Sequence, residues 1–480
     1  MKLLLSGLVF TTVALSQTFH GAADLDAVIN QAIREDKIPG AVVWIGHDGQ
    51  TVYRKAYGNR ALVPAKEAMT LDTVFDIASL TKVVSTTTCM MKLFEQGKVQ
   101  IDDPVSTYLP EFQGGQSPIT VRQLLTHFSG FRPDLDLEPA WSGYDTGIRR
   151  ALLDKPANPP GTKFVYSDIN FILLGEIIHR VSGMPENEFV KEILLDPLGM
   201  SDSGYLPIAS RQHLIASTEM QKDGFVLRGV VHDPTARYMG GVAGHAGMFS
   251  TAADLSKFCQ MLLDGGAGLF SPVTIQKFTS PHTPLGQSVQ RGLGWDIDSP
   301  YSGNRGDLFP VGSFGHTGFT GTSIWIDPAS RSYVILLANS GHPHLRKPIT
   351  PLRRAVATIA AASVGYEAPL SAAAPRRTQT GLDVLAAANF GPLRGKRVGL
   401  ITNQSGIDRK GRRNLDLMTS AGLNVAAVFS PEHGFAGTED HENIGNSTDA
   451  ATGIRIFSLY GKTMRPAPEM LKGIDTLVFD

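Results

Sequence analysis

The sequence predicts an α+β fold, an antiparallel sheet sandwiched with a helical domain, followed by a smaller Rossmann-like α/β domain. Three observations predict it. Residues 24–365 open and close with strand pairs and carry helices between them, the pattern of an α+β sandwich. From residue 382 onward short helices alternate with apolar strands, which predicts a parallel sheet. Between the two, residues 366–381 (YEAPLSAAAPRRTQTG) are rich in Ala, Pro and Thr and lose apolar periodicity, as a linker does.

Taken in order, Lys2 precedes an apolar stretch from Leu3 to Leu15, and small residues follow at Ala14, Ser16 and Gly21–Ala23. The stretch is too short to span a bilayer, and residues 1–23 read as a signal peptide; an N-terminal anchor is the alternative. No Cys follows it to carry a lipid. Leu25, Val28, Ile29, Ala32 and Ile33 fall at helical spacing behind Asp24, a good N-cap. The runs Ala41–Gly46 and Thr51–Tyr57 meet through Asp48-Gly49, a hairpin signal. Helices are expected from about Leu80 to Gln96, over Val121–Thr126 behind Thr120, and over Ile169–Val181. A second hairpin follows: Thr322–Asp327, a turn at Pro328–Arg331, then Ser332–Asn339. The strands near both ends should share one sheet. Beyond the linker the expected order is strand Arg397–Thr402, helix Asn414–Ala421, strands Asn424–Phe429 and Arg455–Leu459, helix Glu469–Lys472 and strand Thr476–Asp480. That order ends on a strand with no closing helix, so this domain reads as truncated.

Composition narrows the function. The 480 residues hold 44 basic and 45 acidic side chains, a net charge of −1, with no long run of either sign. That balance gives no electrostatic case for nucleic acid or an anionic membrane. No segment after the leader is long and apolar enough to span a bilayer. Only Cys89 and Cys259 are present; two buried thiols are expected, and a disulfide stays open.

Three short motifs carry the chemistry. Ser79-Leu80-Thr81-Lys82 opens a long apolar helix, so i,i+3 spacing sets Lys82 above Ser79 on one face. A Lys in an apolar site can lose its proton near neutral pH and act as a base. The alternative is a Ser N-cap beside a solvated Lys. Tyr166-Ser167-Asp168 follows the turn Pro159-Pro160-Gly161; the Tyr could relay a proton, whereas Asp168 also suits the N-cap of the next helix. His316-Thr317-Gly318-Phe319 opens the last strand pair. Its small residues would let the Phe319 N–H form an oxyanion hole with that of Ser79, although a Gly-rich turn reads the same way. His245, in Gly240–Gly247 (GGVAGHAG), could line the pocket. No H-E-x-x-H or Cys/His cluster appears, so neither metal nor cofactor is expected.

In this order, and with Ile119–Gly130 (ITVRQLLTHFSG) and Gly315–Pro328 (GHTGFTGTSIWIDP), the motifs resemble the serine β-lactamase and penicillin-binding-protein-like hydrolases. Their class C, D-alanyl-D-alanine peptidase and esterase branches are nearest. The resemblance implies a β-lactamase-like sandwich, Ser79 as the acylated nucleophile, and Lys82 with Tyr166 as the acid/base pair. Two departures bear on substrate. His316 stands where many β-lactamases have Lys, so a fixed cation for a substrate carboxylate is absent or pH-dependent. Asp168 replaces the usual Asn; ionised, it only accepts hydrogen bonds and would hold Lys82 protonated, shifting the base's role toward Tyr166. Efficient penicillin hydrolysis is therefore not expected.

Val398–Gly406 (VGLITNQSG), Ser430–Gly434 (SPEHG) and Ser458–Leu477 (SLYGKTMRPAPEMLKGIDTL) resemble the exo-β-N-acetylmuramidase family. Glu432, past a strand end, stands where a glycosidase acid could sit, with His433 beside it; the second carboxylate such chemistry needs is not identified. The fusion implies work on peptidoglycan fragments. The expected protein is a periplasmic or secreted serine hydrolase acting through an acyl-enzyme on cell-wall amides, as a muropeptide amidase, D-amino-acid peptidase or carboxypeptidase. Its expected partner is a small-molecule or muropeptide substrate; oligomeric state is not legible. An esterase of the same fold, and a penicillin-binding sensor with little turnover, are the alternatives.

Overall fold

The computed structural model describes residues 19–364 and 380–479, apart from 116–117, 208, 347, 409, 432–433, 438–443 and 461–462. The chain forms two compact units, Met1–Tyr366 and Glu367–Asp480. The first is built on an eight-stranded sheet: β1 (Gly40–His47), β2 (Gln50–Ala61), β3 (Glu67–Ala68), β4 (Gln290–Arg291), β5 (Asp296–Asp298), β6 (Phe314–Thr317), β7 (Ser323–Asp327) and β8 (Ser332–Ala338). Its order is β3-β2-β1-β8-β7-β6-β5-β4. The two hairpins thus meet at the centre, with β1 and β8 antiparallel and Val43 opposite Leu336. In the first hairpin Asp48 and Gly49 both take positive φ, 45° and 76°, as its right-handed twist favours.

The period-2 pattern of the central strands explains the layering. Val42 and Trp44 of β1, with Tyr333, Ile335 and Leu337 of β8, face a large core shared with the helical region. Ala41, Val43 and Ile45, with Val334, Leu336 and Ala338, face α1 (Ala22–Arg34) and the last helix of the unit. Both faces are covered, so these strands are apolar throughout rather than alternating. Helices α2 (Thr88–Glu95), α3 (Val121–Leu125), α4 (Asp168–Ser182), α5 (Pro234–Tyr238) and α6 (Ala252–Leu263) belong to the first layer or its edges, and α7 (Thr350–Ser363) closes the second. Thr120 caps α3 through a capping box with Gln123, as its sequence predicts.

Some expectations are corrected. Gly21, not Asp24, is the N-cap of α1; Asp24 lies in the first turn, where its carboxylate still suits the helix dipole. Ala22 and Ala23 are the first residues of that helix. The run expected as one helix from Leu80 begins as a 3₁₀ turn (Ala78–Leu80), widens to a π turn (Lys82–Thr87) and only then becomes α2. Cys89 and Cys259 are free, buried thiols.

In the second unit β9 (Arg397–Ile401), β10 (Asn424–Ser430), β12 (Arg455–Ser458) and β13 (Thr476–Phe479) run parallel, as the alternation predicts. A short antiparallel strand, β11 (Ser447–Thr448), edges the sheet in the order β11-β12-β10-β9-β13. Helix α8 (Gly381–Ala387) begins inside the segment expected as linker, and α9 (Asn414–Ser420) crosses between β9 and β10. Glu469–Lys472, expected as a helix, forms turns. Among the described residues no helix is long and apolar enough to cross a membrane.

Candidate active site

Ser79 sits in the 3₁₀ turn behind Ala78, whose φ of +47° is costly for a residue with a Cβ. The turn is held from several sides. Asp76 Oδ1 accepts the Ala78 N–H (2.9 Å), while the Thr320 and Thr322 hydroxyls donate to the carbonyls of Asp76 and Ile77 (2.7 and 3.0 Å). Strain kept in place by surrounding bonds is a mark of functional turns.

Lys82 is fully buried, and its ammonium meets three acceptors. It donates to Ser79 Oγ (3.0 Å) and to the His245 carbonyl (2.9 Å), and lies 2.6 Å from Asp168 Oδ1. The π turn around it widens the helix at this point, a feature common at functional sites. Burial alone would push the Lys82 ammonium down; the Asp168 carboxylate and Tyr166 outweigh it and hold the group above its ordinary range. Asp168 is the first residue of α4 and not its N-cap; Ser167 takes that place. The buried ammonium offers the Asp168 carboxylate a stronger partner than a backbone N–H.

Tyr166 lies 5.1 Å below Lys82 Nζ, measured to the ring centroid, and stacks on His127 (4.4 Å between centroids). Burial raises its phenol, Lys82 pulls it down and Asp168 pushes it up again, leaving it above its ordinary value. His127 Nδ1 accepts from the Ser167 N–H (3.1 Å) and fixes the turn that presents Tyr166. His316, buried on β6, is driven well below the usual histidine range by burial, with Arg291 and Lys82 adding to it. It is neutral near pH 7. Its Nδ1 donates to the Thr317 carbonyl (2.8 Å), which leaves Nε2 as an acceptor.

Gly318 is required by close approach. A Cβ there would stand 2.1 Å from Thr322 Oγ1 and 2.4 Å from the Ile77 carbonyl. With no side chain, the strand end packs directly against the nucleophile turn and brings Phe319 beside it. The Arg353 guanidinium of α7 donates to the carbonyls of Gly318 (2.7 Å) and Thr322 (2.9 Å). Burial lowers it to about 10, and it stays charged. Ser79, Tyr166, His316, Phe319 and Arg353 line a cavity of about 380 Å³. Thr317 and Gly318 line it too, and the exposed rings of Tyr301 and Phe319 stand among its walls.

The His245 side chain does not line this cavity, contrary to expectation. It is buried and bound to Asp233 (2.9 Å), and it is its backbone carbonyl that reaches Lys82. Glu432 and His433 lie outside the described residues. The sequence offers no signal for the parts played by His127, Asp76 and Arg353: His127 lies just past the expected helix Val121–Thr126 as an ordinary loop residue, and the others carry no local pattern. Among the described residues no group of three or more His, Cys, Asp or Glu is arranged to hold a metal ion.

Comparison with known proteins finds relatives for both units. Residues 25–358 match the Beta-lactamase family, and residues 398–480 match the family described as "Exo-beta-N-acetylmuramidase NamZ, N-terminal". A relative in Escherichia coli (strain K12), named "Putative D-alanyl-D-alanine carboxypeptidase", is 32% identical over 354 residues, 65% of this chain and 80% of that protein. Among solved structures, the octameric penicillin-binding protein homologue from Pyrococcus abyssi aligns with a TM-score of 0.55 at 28% identity, over 67% of this chain and 74% of its own. The class C beta lactamase from Rhodobacter sphaeroides aligns at 0.56 and 20% identity, over 70% and 98%, and shows the fold.

Proposed function

The chain belongs to the Beta-lactamase family and is a serine hydrolase of that fold, and from that premise we propose that it cleaves cell-wall-derived amides through an acyl-enzyme on Ser79. One observation carries the reading: Ser79 Oγ is held at 3.0 Å by a buried ammonium, beside a phenol, on the wall of an open cavity. In the proposed step Tyr166 takes the Ser79 proton, and Lys82, kept charged by Asp168, stabilises the phenolate that requires. Ser79 Oγ bonds to the substrate carbonyl carbon, and the amide N–H groups of Ser79 and Phe319 receive the oxyanion. The C–N bond breaks as Tyr166 returns the proton to the leaving amine, and water then hydrolyses the ester.

Substrate class rests on two supports. A neutral His316 supplies no fixed cation, but Arg353 lines the cavity and matches the carboxylate of a C-terminal D-amino acid. The second unit's match to the N-terminal part of an exo-β-N-acetylmuramidase family suits a protein of peptidoglycan turnover. On this reading the protein is exported, to the periplasm or outside the cell. The test is product release from muropeptides and D-Ala-D-Ala peptides against p-nitrophenyl esters. Turnover of the amides supports a peptidase or amidase; turnover of esters alone makes it an esterase. An adduct without steady-state product makes it a penicillin-binding sensor.

A further inference from the structure

His232 and Asp233 have no part in the reaction above, yet the pair touches each portion of the site. The His232 N–H donates to Asp76 Oδ2 (2.7 Å), and the same carboxyl accepts from Ala78, the residue before Ser79. The His232 ring stacks on Phe319, 5.5 Å between centroids at 24°. Asp233 Oδ1 accepts from His245 Nε2 (2.9 Å), and the His245 carbonyl accepts from Lys82 (2.9 Å). Phe319 is thus touched directly by this dipeptide, and the residue before Ser79 and the Lys82 ammonium are each reached through one intervening residue.

We propose that His232-Asp233 is the positioning element of this active site, with Asp233 acting through His245 on Lys82 and His232 acting through Phe319 on the oxyanion hole. This rests on the serine-hydrolase reading of Ser79. Asp233 also caps α5 by accepting the Ala236 N–H (2.8 Å), so its charge and its cap must be separated. The charged groups that face His245 are Asp233, Asp168 and Lys82, with Asp134 and Glu186 farther off. Burial would drive His245 neutral; the Asp233 carboxylate, with Asp168 adding to it, more than offsets that and holds it above the ordinary histidine range.

Asp233→Asn makes the separation, because Asn caps a helix as well as Asp and still accepts from His245, but carries no charge. The full chain is labelled with a fluorophosphonate across pH, and the rate on Ser79 is read by mass spectrometry. Asp233→Asn is expected to label about tenfold more slowly at pH 7, with half-saturation changed less than about twofold. The inflection belonging to His245 should fall by about one pH unit or more, because the charge favouring the imidazolium is gone. His232→Ala should also slow labelling without moving that inflection, and His232→Phe should restore the rate through the stack. A wild-type rate and profile in Asp233→Asn overturns the proposal, as does a loss that tracks a lowered Tm with the profile unmoved. If the wild type fails to label, the hydrolase reading falls. The brace is then read by histidine NMR, where an unshifted His245 titration in Asp233→Asn overturns it.

Discussion

Lys82 presents the sharpest question at the residue scale, because a buried ammonium surrounded by three acceptors is a poor base. Asp168 is the cause: it sits 2.6 Å away and keeps the group charged. Replacing it with Asn removes the strongest opponent of burial at Lys82 and leaves Tyr166 as the weaker one, so Lys82 should lose its proton at lower pH, and the Tyr166 phenol, which Asp168 pushes up, should fall as well. Asp168→Asn is therefore expected to shift the rise of the acylation rate with pH downward by at least about one unit, checked by pH-dependent labelling. In the wild type that rise should extend into the alkaline range, because the Tyr166 phenol lies above its ordinary value and must deprotonate. The presence of Asp168 where the family usually has Asn was legible in the sequence. The role of His245 was not, since nothing in a sequence distinguishes a backbone carbonyl at Lys82 from a ring in the pocket.

At the scale of elements, the end of β6 and the turn before Ser79 depend on one missing side chain. Gly318→Ala must displace the Ile77 carbonyl or Thr322, and with them the amides around the oxyanion position. A loss of about 10²–10³-fold in acylation rate is expected, with the far-ultraviolet circular dichroism of the wild type. On β3, Glu67 takes two bonds from Arg228 (2.7 Å each) and one from Arg60 (3.0 Å), which lower its carboxyl to about 2. A depressed carboxylate contributes stability above its unfolded value, near 4.5, and loses it as pH falls toward 2. Glu67→Gln should cost about 1–3 kcal/mol at pH 7 by urea unfolding, and the difference should narrow below pH 4.5. Hairpins and the α3 cap were legible because Asp48-Gly49 and Thr120–Gln123 are local signals. The small sheet joining Phe75–Asp76, Met248–Ser250 and Gly204–Tyr205 was not, because strands of two or three residues show no period.

For the whole molecule, the cores of the two units are built from separate sets of residues, Leu382 and Val398 among those of the second. Calorimetry of the intact chain is expected to show two transitions, of which only the hydrolase transition moves when Ser79 carries an adduct. The sharing of one sheet by β1 and β8 was legible from two apolar hairpins that need a common core. The placement of Arg353 and Asp76 was not, since only tertiary folding brings α7 and the nucleophile turn together. In the proposed function Ser79 is acylated and the enzyme turns over cell-wall amides. Intact-mass spectrometry of the chain mixed with purified muropeptides tests it most directly, with Ser79→Ala alongside. Released product and a transient adduct mapping to Ser79 are expected, both lost in Ser79→Ala; product formation that survives that substitution rules out Ser79 as the nucleophile.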